Sequence, residues 1–177
     1  MDSKGEVVSA NVGAWVRRWA GRVSGGAEIL DLACGSGRHG RYFLELGHPV
    51  LLLDIDLSGV ADLQGQPNAE LIGVDLENGN PWPLGNRQFG AVIVCNYLWR
   101  PLFPHLIRAV APGGLLLYET FMRGQEKHGR PSNPDFLLAE NELFERLKDS
   151  FRILAFEQGE ETEPKPSFRQ RIAAIKR

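Results

Sequence analysis

The chain has 177 residues, 43% hydrophobic and 24% charged, with a formal net charge of −2. That length suits one domain spanning 1–177 with a sizeable core, and the composition argues against wholesale disorder. The charge balance gives no footprint for nucleic acid, and no run approaches the roughly 20 apolar residues of a membrane span.

The first residues, Met-Asp-Ser-Lys-Gly-Glu, lack an apolar signal core, so the expected location is cytoplasmic. From Val8 to Val23, Val12, Trp15, Val16, Trp19 and Val23 recur at helical spacing, which predicts an amphipathic N-terminal helix packed by one face on the domain. Glu28 to Gly40 then reads as strand, glycine-rich turn and helix: a short apolar run ends in Asp31, and Phe43, Leu44 and Leu46 continue a helical face. Glycines in such a turn let the backbone approach a ligand closely, and the helix beyond offers unpaired N–H groups.

Pro49 to Asp54 is a continuous apolar run, the pattern of a strand covered on both faces. Leu57 to Leu63 is compatible with a short, weakly specified helix, Ala69 to Val74 with a third strand ending at Asp75, and Phe89 to Cys95 with a fourth. A helix is predicted over Pro101 to Val110, then a turn at Pro112-Gly113-Gly114 and a fifth strand, Leu115 to Glu119. An irregular loop follows, about Phe121 to Phe136, and then a helix around Asn141 to Lys148. Phe151 to Glu157 and Arg169 to Lys176 have no helix between them and are predicted to pair antiparallel.

Strands alternating with helices imply an α/β fold: a Rossmann-like, doubly wound sheet of seven strands, mostly parallel, with an antiparallel C-terminal hairpin. In such sheets ligands sit beyond the carboxyl ends of the strands, which would align Asp31, Asp54, Asp75 and Glu119 along one edge. The two cysteines, Cys34 and Cys95, each end an apolar run and read as small buried residues. No Cys/His spacing resembles a zinc site, so no metal is expected.

The turn admits two cofactor readings. Gly35-Ser36-Gly37-Arg38-His39-Gly40 matches the dinucleotide pattern G-x-G-x-x-G, with Asp54 suitably placed for a ribose hydroxyl, which would point to an NAD(P)-dependent oxidoreductase. Read from Asp31, however, the stretch is Asp-x-Ala-Cys-Gly-x-Gly. A carboxylate so near the turn suits a cationic ammonium and would repel a pyrophosphate.

This stretch resembles the first motif of the class I S-adenosylmethionine-dependent methyltransferases, usually Asp/Glu-x-Gly-x-Gly-x-Gly, with Ala33 replacing a glycine. The resemblance covers roughly Ile29 to the C-terminus. It implies S-adenosylmethionine as cofactor, Asp31, Ala33, Gly35 and Gly37 around its methionine part, and Asp54 with Ile55 at the ribose. It also implies Asp75 and Leu76 at the adenine edge, Asn96 as a backbone contact, and an antiparallel seventh strand. Arg38, which opens the helix, is a candidate partner for the cofactor carboxylate.

The acceptor is less legible. Methyl transfer from a sulfonium needs mainly alignment and sometimes a base, so no residue type is obligatory. Asn96-Tyr97-Leu98-Trp99 stands where amino-methylating DNA and protein enzymes carry Asn-Pro-Pro-Tyr, which favours a small-molecule acceptor. Tyr118-Glu119-Thr120-Phe121 and Gly129 to Leu138 resemble small bacterial methyltransferases of the tellurite-resistance type. Tyr97, Glu119, Arg123, His128 and Arg130 are the acceptor-pocket candidates, the last three as a positive lid for a small anion. A non-catalytic cofactor-binding protein remains the other alternative.

Overall fold

Apolar runs bounded by turn residues become seven strands of one sheet in the computed structural model, which describes residues 12–177. In chain order these are β1 (Ile29–Leu32), β2 (Val50–Asp54), β3 (Ala69–Gly73), β4 (Phe89–Cys95), β5 (Val110–Phe121), β6 (Phe151–Glu161) and β7 (Ser167–Lys176). The helices are α1 (Ala14–Trp19), α2 (Arg38–Glu45), α3 (Phe103–Ala109) and α4 (Glu142–Leu147). The strands lie in the order β3-β2-β1-β4-β5-β7-β6. The first five are parallel, and β7 enters antiparallel between β5 and β6.

The central strands are buried on both faces because alternate side chains feed two separate cores. Leu30, Leu32, Leu51, Leu53, Val92 and Val94 point to one face, where α3 and α4 add Phe103, Leu106, Leu143 and Leu147. Ile29, Val50, Leu52, Ala91 and Ile93 point to the other, against Trp15, Val16 and Phe43 from α1 and α2. Each fully buried Leu or Phe here contributes about 1.5–3 kcal/mol of transfer free energy. The connections leaving β1 and β4 diverge where the strand order reverses, and a crevice opens there.

Several elements differ in extent from the sequence reading. Of the helix expected over Val8 to Val23, the described part is α1 followed by a 3-10 turn at Ala20–Arg22; Val8 to Asn11 lie outside the described residues. Ser58–Leu63 is a 3-10 helix, and the helix expected from Pro101 is a 3-10 turn, Arg100–Leu102, leading into α3. Strand β5 starts at Val110, because Phe89 pairs with Val110 before a register shift restores the ladder at Ala91 and Leu115. It also runs on to Phe121, and the loop beyond contains two 3-10 turns, Gln125–Lys127 and Pro134–Phe136. Pairing of Glu160 with Phe168 and of Glu161 with Ser167 draws much of the polar joining stretch into β6 and β7.

Trp15 and Trp19 meet edge to face, with centroids 5.9 Å apart, and Trp15 Nε1 donates to the Ile172 carbonyl at 3.2 Å. Cys34 and Cys95 are both free thiols. Among the described residues no helix is long and apolar enough to cross a membrane, and no His/Cys/Asp/Glu group is arranged to hold a metal ion.

Candidate functional site

The turn after β1 is built from left-handed residues. Ala33, Gly35 and Gly37 have φ of 53°, 54° and 69°. Gly37 has no alternative, since a Cβ there would lie 2.5 Å from Val60 Cγ1. At Gly40 a Cβ would meet Leu52 Cδ2 at 2.7 Å, so glycine lets α2 press onto β2. Gly59, which sequence reasoning missed, does the same for the Ser58–Leu63 segment, where a Cβ would stand 2.8 Å from the Gly35 carbonyl oxygen. Each of these glycines is a close backbone approach, and together they pin the turn from two sides.

Asp31 lies beneath this turn. It is 2% exposed, and its Oδ2 accepts the Gly40 N–H at 2.7 Å, tying β1 to the first turn of α2. Burial pushes its carboxyl up to about 7; the Gly40 N–H and the nearby Arg38 charge oppose that rise only in part. His39, 3% exposed, has Nε2 without a hydrogen-bond partner among the described residues, and burial, with Arg38 adding to it, lowers the imidazole to about 4.

Asp54 ends β2 beside the turn. Its Oδ2 accepts the Gly35 N–H at 2.8 Å and its Oδ1 the Asp56 N–H at 3.1 Å. A carboxylate has about four acceptor positions, so each oxygen keeps capacity toward a ligand. The Gly37 N–H donates to the Cys34 carbonyl at 2.8 Å. Both glycine N–H groups of the turn are thus engaged within the protein, which leaves neither for the pyrophosphate of a dinucleotide.

A cleft of about 510 Å³ opens beyond the strand ends, lined by Ala33, Asp54, Ile55, Val74, Asp75, Leu76, Glu77, Asn96 and Tyr97. Ile55 is 69% exposed, an isoleucine standing free at the cleft edge. Asp75 Oδ1 accepts the Glu77 N–H at 2.8 Å. Burial, together with the acidic neighbours Glu77, Asp75 and Asp54, raises the Tyr97 phenol well above its ordinary range and keeps it protonated. Next to this end lies a smaller hollow of about 270 Å³, which shares Asp75, Leu76 and Glu77 and adds Trp82, Trp99 and His105.

On the other side of Asn96 a chamber of about 440 Å³ lies over the β5–β7 ladder. Its wall includes Trp15, Arg38, Asn96, Glu119, Phe121, Gln125, Arg130, Arg169 and Arg171. Glu119 is held between two arginines, with Arg171 Nε at 3.1 Å and Arg169 Nη1 at 3.7 Å. Arg169 also pairs with Glu161 at 3.1 Å and lies 4.1 Å over the Phe121 ring. Asn96 borders both spaces.

Of the residues proposed from the sequence, Ala33, Asp54, Ile55, Asp75, Leu76 and Asn96 line the cleft, as does Tyr97. Arg38, Glu119 and Arg130 line the chamber. Gly35 and Gly37 shape the turn without standing in either wall, and Asp31 supports it from below. Arg123 and His128 fall outside both spaces. The Arg123 N–H pairs with the Leu138 carbonyl, while His128 contacts Glu160 at 2.8 Å and stacks on Phe168. Val74, Glu77, Arg169 and Arg171 were not anticipated, and for the two arginines no local motif marks them.

Residues 29–114 match the family model described as a methyltransferase domain. TehB from Haemophilus influenzae superposes over 94% of this chain and 63% of its own, with a TM-score of 0.75 and 22% identity. The fold is the Rossmann-like methyltransferase fold. A second structure of this fold, 1,6-didemethyltoxoflavin-N1-methyltransferase from Burkholderia thailandensis, superposes over 97% of this chain and 82% of its own, with a TM-score of 0.66 and 18% identity. Among curated proteins, the malonyl-[acyl-carrier protein] O-methyltransferase of Pseudescherichia vulneris is 33% identical over 105 residues, 55% of this chain and 40% of that one. The chain spans about two fifths of the length of the curated relatives it matches. At these identities the structural likenesses establish the methyltransferase fold and nothing narrower.

Proposed function

We propose that this chain is a methyltransferase that takes S-adenosylmethionine into the cleft and a small-molecule acceptor into the chamber. The observation that carries the reading is Asn96, a single residue bordering two spaces of different character. Methyl transfer needs such an arrangement, with the donor on one side of a doorway and the acceptor on the other.

The cleft residues fit the cofactor by their chemistry. Asp54 keeps acceptor capacity for two ribose hydroxyls, while Ile55, Val74 and Leu76 offer apolar surface to an adenine beside the carboxylate of Asp75. Arg38, at the start of α2 in the chamber wall, is suited to the cofactor's carboxylate. Asp31 acts through the backbone: by fixing Gly40 it sets how α2 meets the turn. S-adenosylmethionine supplies an electrophilic methyl on a sulfonium. The chain's part is to orient that methyl toward the chamber and to hold a nucleophile in line with it.

Two features support a small, charged acceptor. The chamber is lined by side chains of α1, α2, β5 and β7, and its Arg130 and Lys165, with Glu163, add to the balanced Glu119–Arg169–Arg171–Glu161 set. A cytoplasmic site of action belongs to the same reading, supported by two unpaired cysteines. The bound S-adenosylhomocysteine named for the Burkholderia enzyme supports the choice of probe.

Isothermal titration of the purified chain with S-adenosylhomocysteine, alongside NADH and NADPH, tests the reading. Binding of the thioether and neither nicotinamide is the expected result. Binding of a nicotinamide alone would overturn it in favour of an oxidoreductase.

A further inference from the structure

We propose that Arg169 is a positioning residue for the cofactor cleft, fixing Asn96 from the acceptor side and thereby coupling the two spaces; this rests on the methyltransferase reading above. Asn96 follows β4 directly, is exposed, and adopts a left-handed conformation with φ of 57°. Two bonds hold it. Its backbone N–H donates to the Glu119 carbonyl at 2.9 Å, and its Oδ1 accepts from Arg169 Nη1 at 2.7 Å.

Arg169 is in turn held at several points. Its Nε lies 3.1 Å from a Glu161 oxygen and 3.3 Å from Ser167 Oγ, and its guanidinium rests 4.1 Å over Phe121. Glu119 completes the set at 3.7 Å. A planar five-donor group so constrained presents Nη1 to Asn96 in one direction only. Arg169 does not line the cleft, yet it anchors the side chain of a residue that does. Without it, residue 96 and its left-handed backbone keep only the bond to the Glu119 carbonyl, and cofactor binding must then order them at an entropic cost.

The test is calorimetric titration of S-adenosylhomocysteine into wild type, Arg169→Gln, Asn96→Ala and the double variant, with circular dichroism to check folding. Arg169→Gln is expected to weaken binding about tenfold, the loss of a charge-assisted bond. Asn96→Ala should weaken it to a similar degree, and the double variant should bind no worse than the weaker single one. Wild-type affinity in Arg169→Gln, or losses that multiply in the double variant, would overturn the coupling. If Arg169→Gln does not fold, Arg169→Lys keeps a positive charge beside Glu119 and Glu161 but lacks the fork; an intermediate loss supports the proposal and an unchanged affinity overturns it. A wild type that binds no S-adenosylhomocysteine overturns the methyltransferase reading as well, which separates that failure from a failure of the coupling alone.

Discussion

At the residue scale, three left-handed positions in one turn have different costs. Ala33 carries its methyl at φ 53°, a conformation glycine adopts without penalty. Ala33→Gly is therefore expected to leave stability within about 1 kcal/mol of wild type, on the stabilising side. Gly37→Ala adds a methyl in the same conformation and also drives it against Val60 and Leu52, so it should cost about 2 kcal/mol or more. Urea unfolding of the two variants checks the contrast, and equal effects would show that backbone strain is not what distinguishes them. Asp54→Ala is a different kind of change. It removes an acceptor from Gly35, whose N–H lies near solvent and can be satisfied by water, so the fold should survive with a small loss. Affinity for S-adenosylhomocysteine should fall by more than about tenfold, because charge-assisted bonds to the ribose hydroxyls disappear. An unchanged dissociation constant by calorimetry would remove Asp54 from the site.

The junction of β1 and α2 buries two titrating groups whose pH effects oppose each other. Asp31, pushed up to about 7 from 3.8, prefers its protonated form in the folded chain, so its contribution to stability falls as pH rises from about 4 toward 7. His39, pushed down to about 4 from 6.5, prefers its neutral form, so its contribution is lost as pH falls from 6.5 toward 4. Over pH 5 to 6.5 the two largely offset. Asp31→Asn keeps an acceptor for the Gly40 N–H and removes one slope, so its stability should rise with pH across that window. His39→Gln removes the other, and its stability should fall. Urea midpoints at pH 5 and 6.5 check both signs; parallel slopes in the two variants would refute the assignment. The same junction shows what sequence could convey. Strands β1, β2 and β4 were readable because burial on both faces demands unbroken apolar runs, and the glycine spacing announced the turn. The 3-10 form of Ser58–Leu63 was not readable, since it is set by Gly59 resting on Gly35. Nor was the length of β5, whose first residues depend on a register shift against Phe89. The chamber was the least legible part. It needs β7 inserted next to β5, and its Asn96–Arg169 bond joins residues 73 apart in sequence.

Across the whole molecule, one side chain ties the loop leaving the chamber to the sheet's far face. Arg100, in the connection from β4 to α3, donates to the Asp135 carbonyl at 2.7 Å and the Leu137 carbonyl at 2.9 Å. It also grips both carboxylate oxygens of Glu142 at the start of α4, at 2.8 and 2.9 Å. Burial alone would push the Glu142 carboxyl up, but bonds from Arg100, the Ala139 N–H and Arg146 outweigh it and hold the group at about 2. A depressed carboxylate stabilises the fold fully above its ordinary 4.5 and loses that contribution as pH falls toward 2. Arg100→Ala removes the largest opposing bond and leaves Glu142, with a side chain 11% exposed, leaning on Arg146 alone among the side chains of the described residues. The cost should be about 2 kcal/mol at neutral pH, discounted for the partial exposure of the arginine. Two further consequences separate this clamp from ordinary surface pairing. The variant's stability should decline less steeply than wild type between pH 4.5 and 3, because less of it then depends on an ionised Glu142. Amide exchange should also quicken at Leu137 and Leu138, which sit beside the released carbonyls, while β1 and β2 keep their protection. Uniformly faster exchange in all strands would mean that Arg100 supports the core as a whole rather than the loop segment around Asp135 and Leu137.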